Sequence, residues 1–242
     1  MVFRLDDNEI AFPDPTLADD DGLLAVGGDL SANRLILAYQ HGIFPWYSDD
    51  DPILWYAPHE RCVIYPDKLN VSKSMKQVLA RDTFNVTVDQ AFEKVIENCA
   101  KIVRKDQPGT WINKEMEAAY VTLHQLGWAH SVEVWQGENL VGGLYGIAFG
   151  KMFCGESMYS AESGASTVAL AALARHLHLR GWPLIDAQVP NAHTQRLGVE
   201  TWTRRDYLHA LAALRDCDAA TGTFADGFGN YPASVLACTP LP

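Results

Sequence analysis

One ordered series of strand-like and helix-like segments after residue 130 constrains the fold more than any other feature of the chain. The segments are strands over 131–135, 140–149 and 152–160, a helix over 166–180, a strand over 183–189 and a helix over 205–215. Strands that follow one another through short turns form an antiparallel meander, and a continuous apolar strand after a helix is typical of the buried middle of a sheet. The order β-β-β-α-β-α therefore predicts an α/β or α+β fold, with a mixed sheet and flanking helices.

The first sixty residues differ from the rest, because they are dense in turn and aromatic residues and follow no simple helical or strand period. Ser31 is placed to cap a short helix over 32–41, which Gly42 would end. We expect a small N-terminal domain over 1–61 and a larger domain over 62–242. Further helices are predicted over 73–81, 89–101 and 113–126, and the Gly- and Pro-containing tail after residue 215 is predicted to be loosely ordered.

The composition is that of an ordinary soluble globular protein. With 242 residues, 48% of them hydrophobic and 20% charged, the chain can bury a sizeable core. It has no apolar run of about 18 residues and no signal-like N-terminus, so we expect a cytoplasmic protein without a membrane partner. Five cysteines without a Cys-x-x-Cys spacing favour neither a disulfide framework nor a zinc site, and we expect no metal.

The net charge of −11 argues against a general nucleic-acid binder, since neutralising phosphates needs clustered lysine and arginine. A local basic strip remains, formed by Lys68, Lys73, Lys76 and Arg81. It is either the solvated face of a helix or a place where a polyanion docks.

Three polar side chains lie in segments that otherwise have the pattern of buried strands. They are Glu156 in the third strand of the meander and Asp186 and Gln188 at the end of the strand after the helix. A carboxylate in an apolar strand is costly unless it is paired, neutralised or used in catalysis. Glu156 is therefore either a paired core carboxylate or a catalytic group, and Asp186 and Gln188 either satisfy backbone groups at a strand end or act on a substrate.

The element order resembles the GNAT acyltransferase fold, in which an acyl donor lies between two central strands. Acyl-CoA users of that fold hold a pyrophosphate on a glycine-rich loop at the helix N-terminus. Here the corresponding residues 159–166 lack that spacing and include Glu162, which would repel an anion. The acyl donor is therefore not expected to be a CoA thioester.

Seven motifs occur together and in order over residues 27–189, within a wider resemblance that covers about residues 10–215. They are Gly-Gly-Asp-Leu (27–30), Gly-Ile-Phe-Pro-Trp (42–46), Gly-Thr-Trp-Ile (109–112), Ala-His-Ser-Val-Glu-Val-Trp (129–135), Val-Gly-Gly-Leu-Tyr-Gly (141–146), Phe-Cys-Gly-Glu-Ser-Met (153–158) and Leu-Ile-Asp-Ala-Gln-Val (184–189). The set resembles the bacterial leucyl/phenylalanyl-tRNA–protein transferases. The resemblance implies transfer of Leu or Phe, less often Met, from aminoacyl-tRNA to proteins beginning with Arg or Lys, which then enter N-end-rule degradation. It also implies a cytoplasmic enzyme without a cofactor, and we expect a monomer.

The resemblance assigns roles to the polar residues. Asp186 and Gln188 would form a relay at the attacking amine, with the Gln188 oxygen accepting from that amine and Asp186 orienting or polarising it. Glutamine does not titrate, so orientation and electrostatics outweigh literal proton abstraction. Glu156 would hold the ammonium group of the incoming Leu or Phe.

The resemblance also implies binding surfaces for the donor. The Leu or Phe side chain would enter an apolar pocket, although core packing alone also explains most of that helix face. The pocket residues are Phe153, Met158, Leu170, Leu173, Leu177, Ile185 and Tyr120. Trp46 and Trp111 would stack on the terminal adenine of the tRNA, unless they only fill turns. Lys73, Lys76 and Arg81 would meet the acceptor stem.

The chain departs from the usual family pattern at Thr167, Asn70 and Tyr56, which puts local tRNA or pocket contacts in doubt but not the reaction. Two other function classes remain open. A Cys or Ser hydrolase could use Cys154 or Ser157 with His193 and Asp186, but no Gly-x-Ser-x-Gly elbow is present. A tRNA- or peptide-binding module without activity is the other.

Overall fold

Two sheets organise the chain, a four-stranded sheet near the N-terminus and an eight-stranded sheet in the remainder. The computed structural model describes residues 2–69, 71–80, 83–102, 112–190, 195, 197–217 and 223–238. The strands of the small sheet are β1 (Phe3–Leu5), β2 (Leu23–Gly27), β3 (Phe44–Pro45) and β4 (Leu54–Tyr56). Their order in the sheet is β1-β2-β4-β3.

The large sheet is mixed, and its order is β11-β5-β10-β9-β8-β7-β6-β12. Its strands are β5 (Glu60–Ile64), β6 (Asn85–Val88), β7 (Ala129–Gln136), β8 (Asn139–Phe149), β9 (Met152–Ser160), β10 (Leu184–Asp186), β11 (Glu200–Thr203) and β12 (Tyr231–Pro232). The predicted antiparallel meander is present as β7, β8 and β9. The predicted buried strand is β10, which runs parallel to β9 and antiparallel to β5. The predicted fold class, a mixed α/β sheet with flanking helices, is therefore confirmed.

Seven α-helices are present among the described residues. They are α1 (Ala32–Gln40), α2 (Lys73–Leu79), α3 (Phe92–Lys101), α4 (Lys114–Gln125), α5 (Ala165–Leu179), α6 (Arg204–Arg215) and α7 (Ser234–Cys238). The side chains of Ser72, Asn113 and Thr203 accept the first free backbone N–H groups of their helices. Ser31 precedes α1 as predicted, but its side chain makes no such bond. No helix in the described part of the chain is both long enough and apolar enough to span a membrane.

Helices cover both faces of the large sheet and bury two clusters of apolar side chains. The first cluster contains residues of α1, α3, α4 and α6, and the second contains residues of α2, α5 and α7. Neighbouring strand residues point to opposite faces, and on β9 Met152 and Cys154 belong to the first cluster while Phe153 belongs to the second. The first cluster also includes residues of the small sheet, so its packing continues across the predicted boundary at residues 61 and 62. That boundary stays a prediction.

The prediction of a loosely ordered tail is wrong for residues 223–238. Phe224, Phe228 and Leu236 are buried in the second cluster, and β12 pairs with β6. The apolar residues of this segment are separated by Gly, Asn and Pro and follow no period, so the sequence pattern did not reveal their packing.

Candidate functional site

The candidate site lies where the parallel strands β9 and β10 separate. Their pairing ends at Cys154 opposite Asp186. Beyond that point β9 continues to Ser160, whereas the chain after Asp186 turns toward β5, and the backbone N–H of Cys62 donates to the carbonyl oxygen of Gln188 over 2.8 Å. Gln188 has a positive φ of 58°, an uncommon conformation for a residue with a side chain. The Glu156 and Gln188 side chains meet where the two strands separate, hydrogen-bonded over 2.7 Å, and we call this place the opening.

A β-bulge lies at Glu156, next to this opening. Opposite β8, Tyr145 pairs with Ser157 and Gly146 pairs with Gly155, so Glu156 is an extra residue without a partner in the ladder. A bulge turns the local backbone and redirects the side chain next to it. The Glu156 carboxylate faces Tyr120 of α4, on the side of the sheet that holds the first cluster, which is also the side of Met152 and Cys154.

Glu156 accepts hydrogen bonds from two directions. The Gln188 side-chain nitrogen donates to its Oε1 over 2.7 Å, and the Tyr120 hydroxyl donates to its Oε2 over 3.1 Å. The Tyr39 hydroxyl of α1 makes a short hydrogen bond with that of Tyr120. Burial raises the pKa of Glu156 to about 8, and the hydrogen bonds from the tyrosines offset only part of that effect. Burial of Glu156 thus favours its protonated form in the free protein.

Asp186 is fully buried and accepts donors from three residues. Arg61 of β5 donates through Nε to Oδ1 over 2.8 Å and through Nη2 to Oδ2 over 2.6 Å. The Tyr207 hydroxyl of α6 donates to Oδ2 over 2.8 Å, and the backbone N–H of Gln188 donates to Oδ1 over 2.8 Å. Both carboxylate oxygens are therefore occupied, and the last of these bonds fixes the backbone that carries Gln188.

Arg61 is the cation that makes the burial of Asp186 possible. Burial by itself would lower the pKa of Arg61, but the adjacent Asp186 carboxylate overrides it and raises that pKa, so the guanidinium stays charged. The group also lies over the rings of Phe44 and Tyr207, at 4.7 and 4.5 Å from their centres. Its Nη1 donates to the carbonyl oxygen of Gly42, at the end of α1.

Arg61, Tyr39 and Tyr207 are site residues that the sequence interpretation missed. Arg61 had only a weak signal, because it precedes the apolar residues 62–64 but follows the charged residue Glu60. The two tyrosines had none, since an aromatic residue on an apolar helix face usually fills a core.

The predicted pocket residues fall on both faces of the sheet. Phe153 and Ile185 lie side by side where β9 and β10 still pair, next to the opening. They belong to the second cluster with residues of α5, and Met158 is partly buried against it. The α5 residues of the predicted pocket in this cluster are Leu170, Leu173 and Leu177. Tyr120 lies on the opposite face, with its hydroxyl at Glu156. The pocket stays a prediction, and the structure gives Tyr120 a polar contact rather than a place among these apolar residues.

The predicted tRNA contacts are only partly described. Trp46 is 37% exposed, and its ring centre lies 5.8 Å from that of Tyr56 at an angle of 60°. Trp111 lies outside the described residues, so the proposed pair of rings stays a prediction. Lys73 and Lys76 are exposed on α2, while Arg81 is outside the described residues.

The geometry does not favour a hydrolase. Cys154 is fully buried, and burial raises the pKa of its thiol well above the usual range, which disfavours the thiolate that a nucleophile needs. Asp186 is bound to Arg61 and Tyr207, and His193 lies outside the described residues. No group of three or more His, Cys, Asp or Glu that could hold a metal ion occurs in the part of the chain that is described.

Comparison with known proteins gives a consistent result over most of the chain. The family model for leucyl/phenylalanyl-tRNA protein transferase matches residues 63–212, and the model for the N-terminal domain of these transferases matches residues 28–59. A leucyl/phenylalanyl-tRNA–protein transferase of Xanthomonas euvesicatoria pv. vesicatoria (strain 85-10) is 53% identical over 225 residues, which are 93% of this chain and 90% of the relative. The transferase of Xanthomonas axonopodis pv. citri (strain 306) is 50% identical over 239 residues, which are 98% of this chain and 96% of the relative.

Among solved structures, the fold is similar to that of a GCN5-related N-acetyltransferase from Kribbella flavida. The TM-score is 0.37 at 12% identity, and the match covers 68% of this chain and 58% of the other. The family assignment depends instead on the sequence relatives and on the two family models, which together match most of the chain. The chain belongs to the leucyl/phenylalanyl-tRNA–protein transferase family.

Proposed function

We propose that the chain transfers Leu or Phe, and less often Met, from aminoacyl-tRNA to the α-amino group of proteins that begin with Arg or Lys. Its family makes it an aminoacyltransferase. Proteins modified in this way would enter N-end-rule degradation. The reaction would take place in the cytoplasm on a monomeric enzyme, and it needs no cofactor because the aminoacyl ester is already activated.

The observation that carries the proposal is the way the Gln188 side chain is held. Its nitrogen donates to Glu156, so the amide orientation is set and its oxygen is the acceptor that remains. Its backbone is tied to Asp186 and to Cys62 of β5. An acceptor oxygen fixed beside the opening between β9 and β10 suits a neutral amine that must donate a hydrogen bond while its lone pair attacks.

The reaction balances without a titrating base at Gln188. The amine nitrogen forms a bond with the ester carbonyl carbon, the bond between that carbon and the ribose oxygen breaks, and the proton lost by nitrogen ends on the ribose oxygen. An α-amino group has a pKa of about 7.7–8.0, so part of it is neutral at cellular pH. Holding the ester and the amine in attack geometry then supplies most of the rate gain.

Glu156 is proposed to bind the amino group of the incoming Leu or Phe. Burial raises the pKa of this carboxyl to about 8, which favours its protonated form in the free protein. A cationic amino group beside it would lower that pKa and displace the proton. Asp186 acts as a positioning residue, because its oxygens are engaged by Arg61, Tyr207 and the backbone of Gln188.

The donor would be held at three further places. Its side chain would enter the pocket next to Phe153 and Ile185 on the α5 face. Its terminal adenine would stack on Trp46 and Trp111. The acceptor stem would lie along the exposed lysines of α2, Lys73 and Lys76, and Arg81.

A transfer assay tests the proposal directly. The purified chain, labelled Leu-tRNA and peptides differing only in their first residue should give labelled product with Arg or Lys first and none with Gly first. Gln188→Ala should lose transfer, whereas Gln90→Ala should keep it, because Gln90 is exposed and its side chain bonds the carbonyl oxygen of Val88 away from the opening. Equal labelling of the Arg and Gly peptides would refute the proposed acceptor.

A further inference from the structure

The segment after α6 returns to the large sheet and packs on the α5 face. Its strand β12 pairs with β6, with Tyr231 opposite Val86, and the backbone N–H of Ala233 donates to the carbonyl oxygen of Phe84 over 2.7 Å. Arg180, at the end of α5, donates to the carbonyl oxygen of Asp226 over 3.1 Å. Residues 223–238 lie outside the residues matched by the family models, which end at residue 212. We call these residues the C-terminal clasp.

Phe224 is the residue by which the C-terminal clasp reaches the core. Its ring is 3% exposed and stacks on those of His130 and Phe153, with centre distances of 4.4 and 5.5 Å. Its carbonyl oxygen makes a 2.6 Å hydrogen bond with Nε2 of His176 on α5. His130 is in turn held by Asp89, whose carboxylate oxygen lies 2.7 Å from its Nδ1. The position of the Phe224 ring is therefore fixed from its backbone and from the rings around it.

Phe153 has little freedom to move as long as Phe224 is in place. A Cβ atom at Gly146 would lie 2.5 Å from Cε1 of Phe153, so the ring packs directly against the backbone of β8. Gly146 limits the ring on one side and Phe224 contacts it on another. Phe153 is also the residue of β9 that lies beside Ile185 at the edge of the opening.

We infer that Phe224 is a specificity-determining residue, which sets the depth of the donor side-chain pocket by holding the Phe153 ring in position. The inference rests on the proposed function, because it takes Phe153 to line the pocket for the Leu or Phe side chain. A residue outside the segment matched by the family models then adjusts which donor is preferred, without touching the donor itself.

Removing part of the Phe224 ring should favour the larger donor. The cavity left behind Phe153 allows that ring to retreat, which lengthens the pocket. A Leu side chain then loses contacts, while a Phe side chain gains room. A difference of one methylene in an apolar pocket changes relative rates by about 10- to 200-fold, so the ratio of kcat/KM for Phe-tRNA to that for Leu-tRNA should rise by roughly 10-fold.

The experiment compares Phe224→Leu and Phe224→Ala with a matched control in the same segment. Phe228 is also buried in the C-terminal clasp, at 6% exposure, but its ring contacts are with His176 and Tyr231. Phe228→Leu should lower the melting temperature to a similar extent and leave the Phe:Leu ratio unchanged. The donors are Leu-tRNA and Phe-tRNA, and the acceptor is one peptide beginning with Arg.

Phe153→Leu separates the inference from the function on which it rests. A shift of the ratio in Phe153→Leu and in both Phe224 variants supports the inference. A shift in Phe153→Leu alone overturns the role of Phe224 and leaves the proposed pocket intact. An unchanged Phe:Leu ratio in all three variants overturns the pocket position together with the inference. A wild-type chain that transfers neither amino acid overturns the proposed function and the inference with it. Phe224→Leu keeps most of the apolar volume, so the test remains possible if Phe224→Ala fails to fold.

Discussion

Asp186→Asn should lower the stability of the fold as well as its activity, because Asp186 and Arg61 form a buried ion pair. The two side chains are 0% and 2% exposed, and their contacts are 2.6 and 2.8 Å long. Removing the carboxylate leaves the Arg61 cation buried without a counter-charge, which costs about 3–5 kcal/mol. In a protein of this size 1 kcal/mol changes the melting temperature by about 2–4 °C, so we expect a decrease of roughly 6–20 °C.

Gln188→Ala provides the contrast, since Gln188 is only half-buried and its side chain makes one hydrogen bond to Glu156. Its loss should cost about 1 kcal/mol of stability at most. Single-turnover transfer should nevertheless fall by about 100-fold or more, because the attacking amine is no longer oriented. In the Asp186→Asn and Gln188→Ala double variant the losses of rate should not add, because the Gln188 backbone depends on Asp186.

The assay is thermal unfolding followed by circular dichroism, together with single-turnover transfer at saturating Leu-tRNA. Replacing both members of the pair, as in Arg61→Met with Asp186→Leu, removes the two charges at once and should recover much of the melting temperature without recovering transfer. An Asp186→Asn variant that melts within about 2 °C of the wild type would refute the argument that removing the carboxylate leaves the Arg61 charge buried and uncompensated.

Three other outcomes are expected. The pKa of Glu156 is about 8 in the folded state and lower in the unfolded state, so the folded state binds more protons. The wild type should therefore lose stability as the pH rises from about 4.5 to 8. Glu156→Gln should remove that loss in thermal melts taken across this pH range. The Lys73→Ala and Lys76→Ala double variant should lower the slope of log K against log salt for tRNA binding by the amount that corresponds to about two phosphate contacts. Lys94→Ala, on the opposite face of the sheet, should leave that slope unchanged. Trp46→Ala should weaken the use of a short 3′-terminal aminoacylated fragment by ~1–3 kcal/mol, and unchanged use of the fragment would show that Trp46 does not stack on the adenine.

The long elements of the large sheet could be predicted because their side chains alternate and their turns are marked. The strand Met152–Ser160 was predicted with its observed limits, and Ala165–Leu179 within one residue at each end. Short strands could not be predicted in the same way. Phe44–Pro45 and Tyr231–Pro232 have two residues each, which is too short for any period, and they form only because a neighbouring strand is already in place.

The candidate site, too, could be predicted only in part from the sequence. Glu156 and Asp186 could be found because a charged side chain in an apolar strand needs an explanation, whereas Arg61 follows the charged residue Glu60 at the start of its strand. What could not be found is which groups meet, because the bulge at Glu156 and the parallel register of β9 and β10 decide that. Tyr39, Tyr207 and Phe224 are aromatic residues whose pattern is that of core packing, and only the distances separate them from the rest of the core.

Both buried carboxyl groups of the candidate site are held partly by residues near the N-terminus, although they lie on strands of the large sheet. Tyr39 of α1 reaches Glu156 through Tyr120, and Arg61 joins Asp186 to the carbonyl oxygen of Gly42 just after α1. Gly42 has a positive φ of 74°, and a Cβ atom there would lie 2.9 Å from Tyr207, so the turn after α1 is closely packed on the ring that also binds Asp186. A displacement of α1 would therefore disturb the protonation of one carboxyl and the position of the other together.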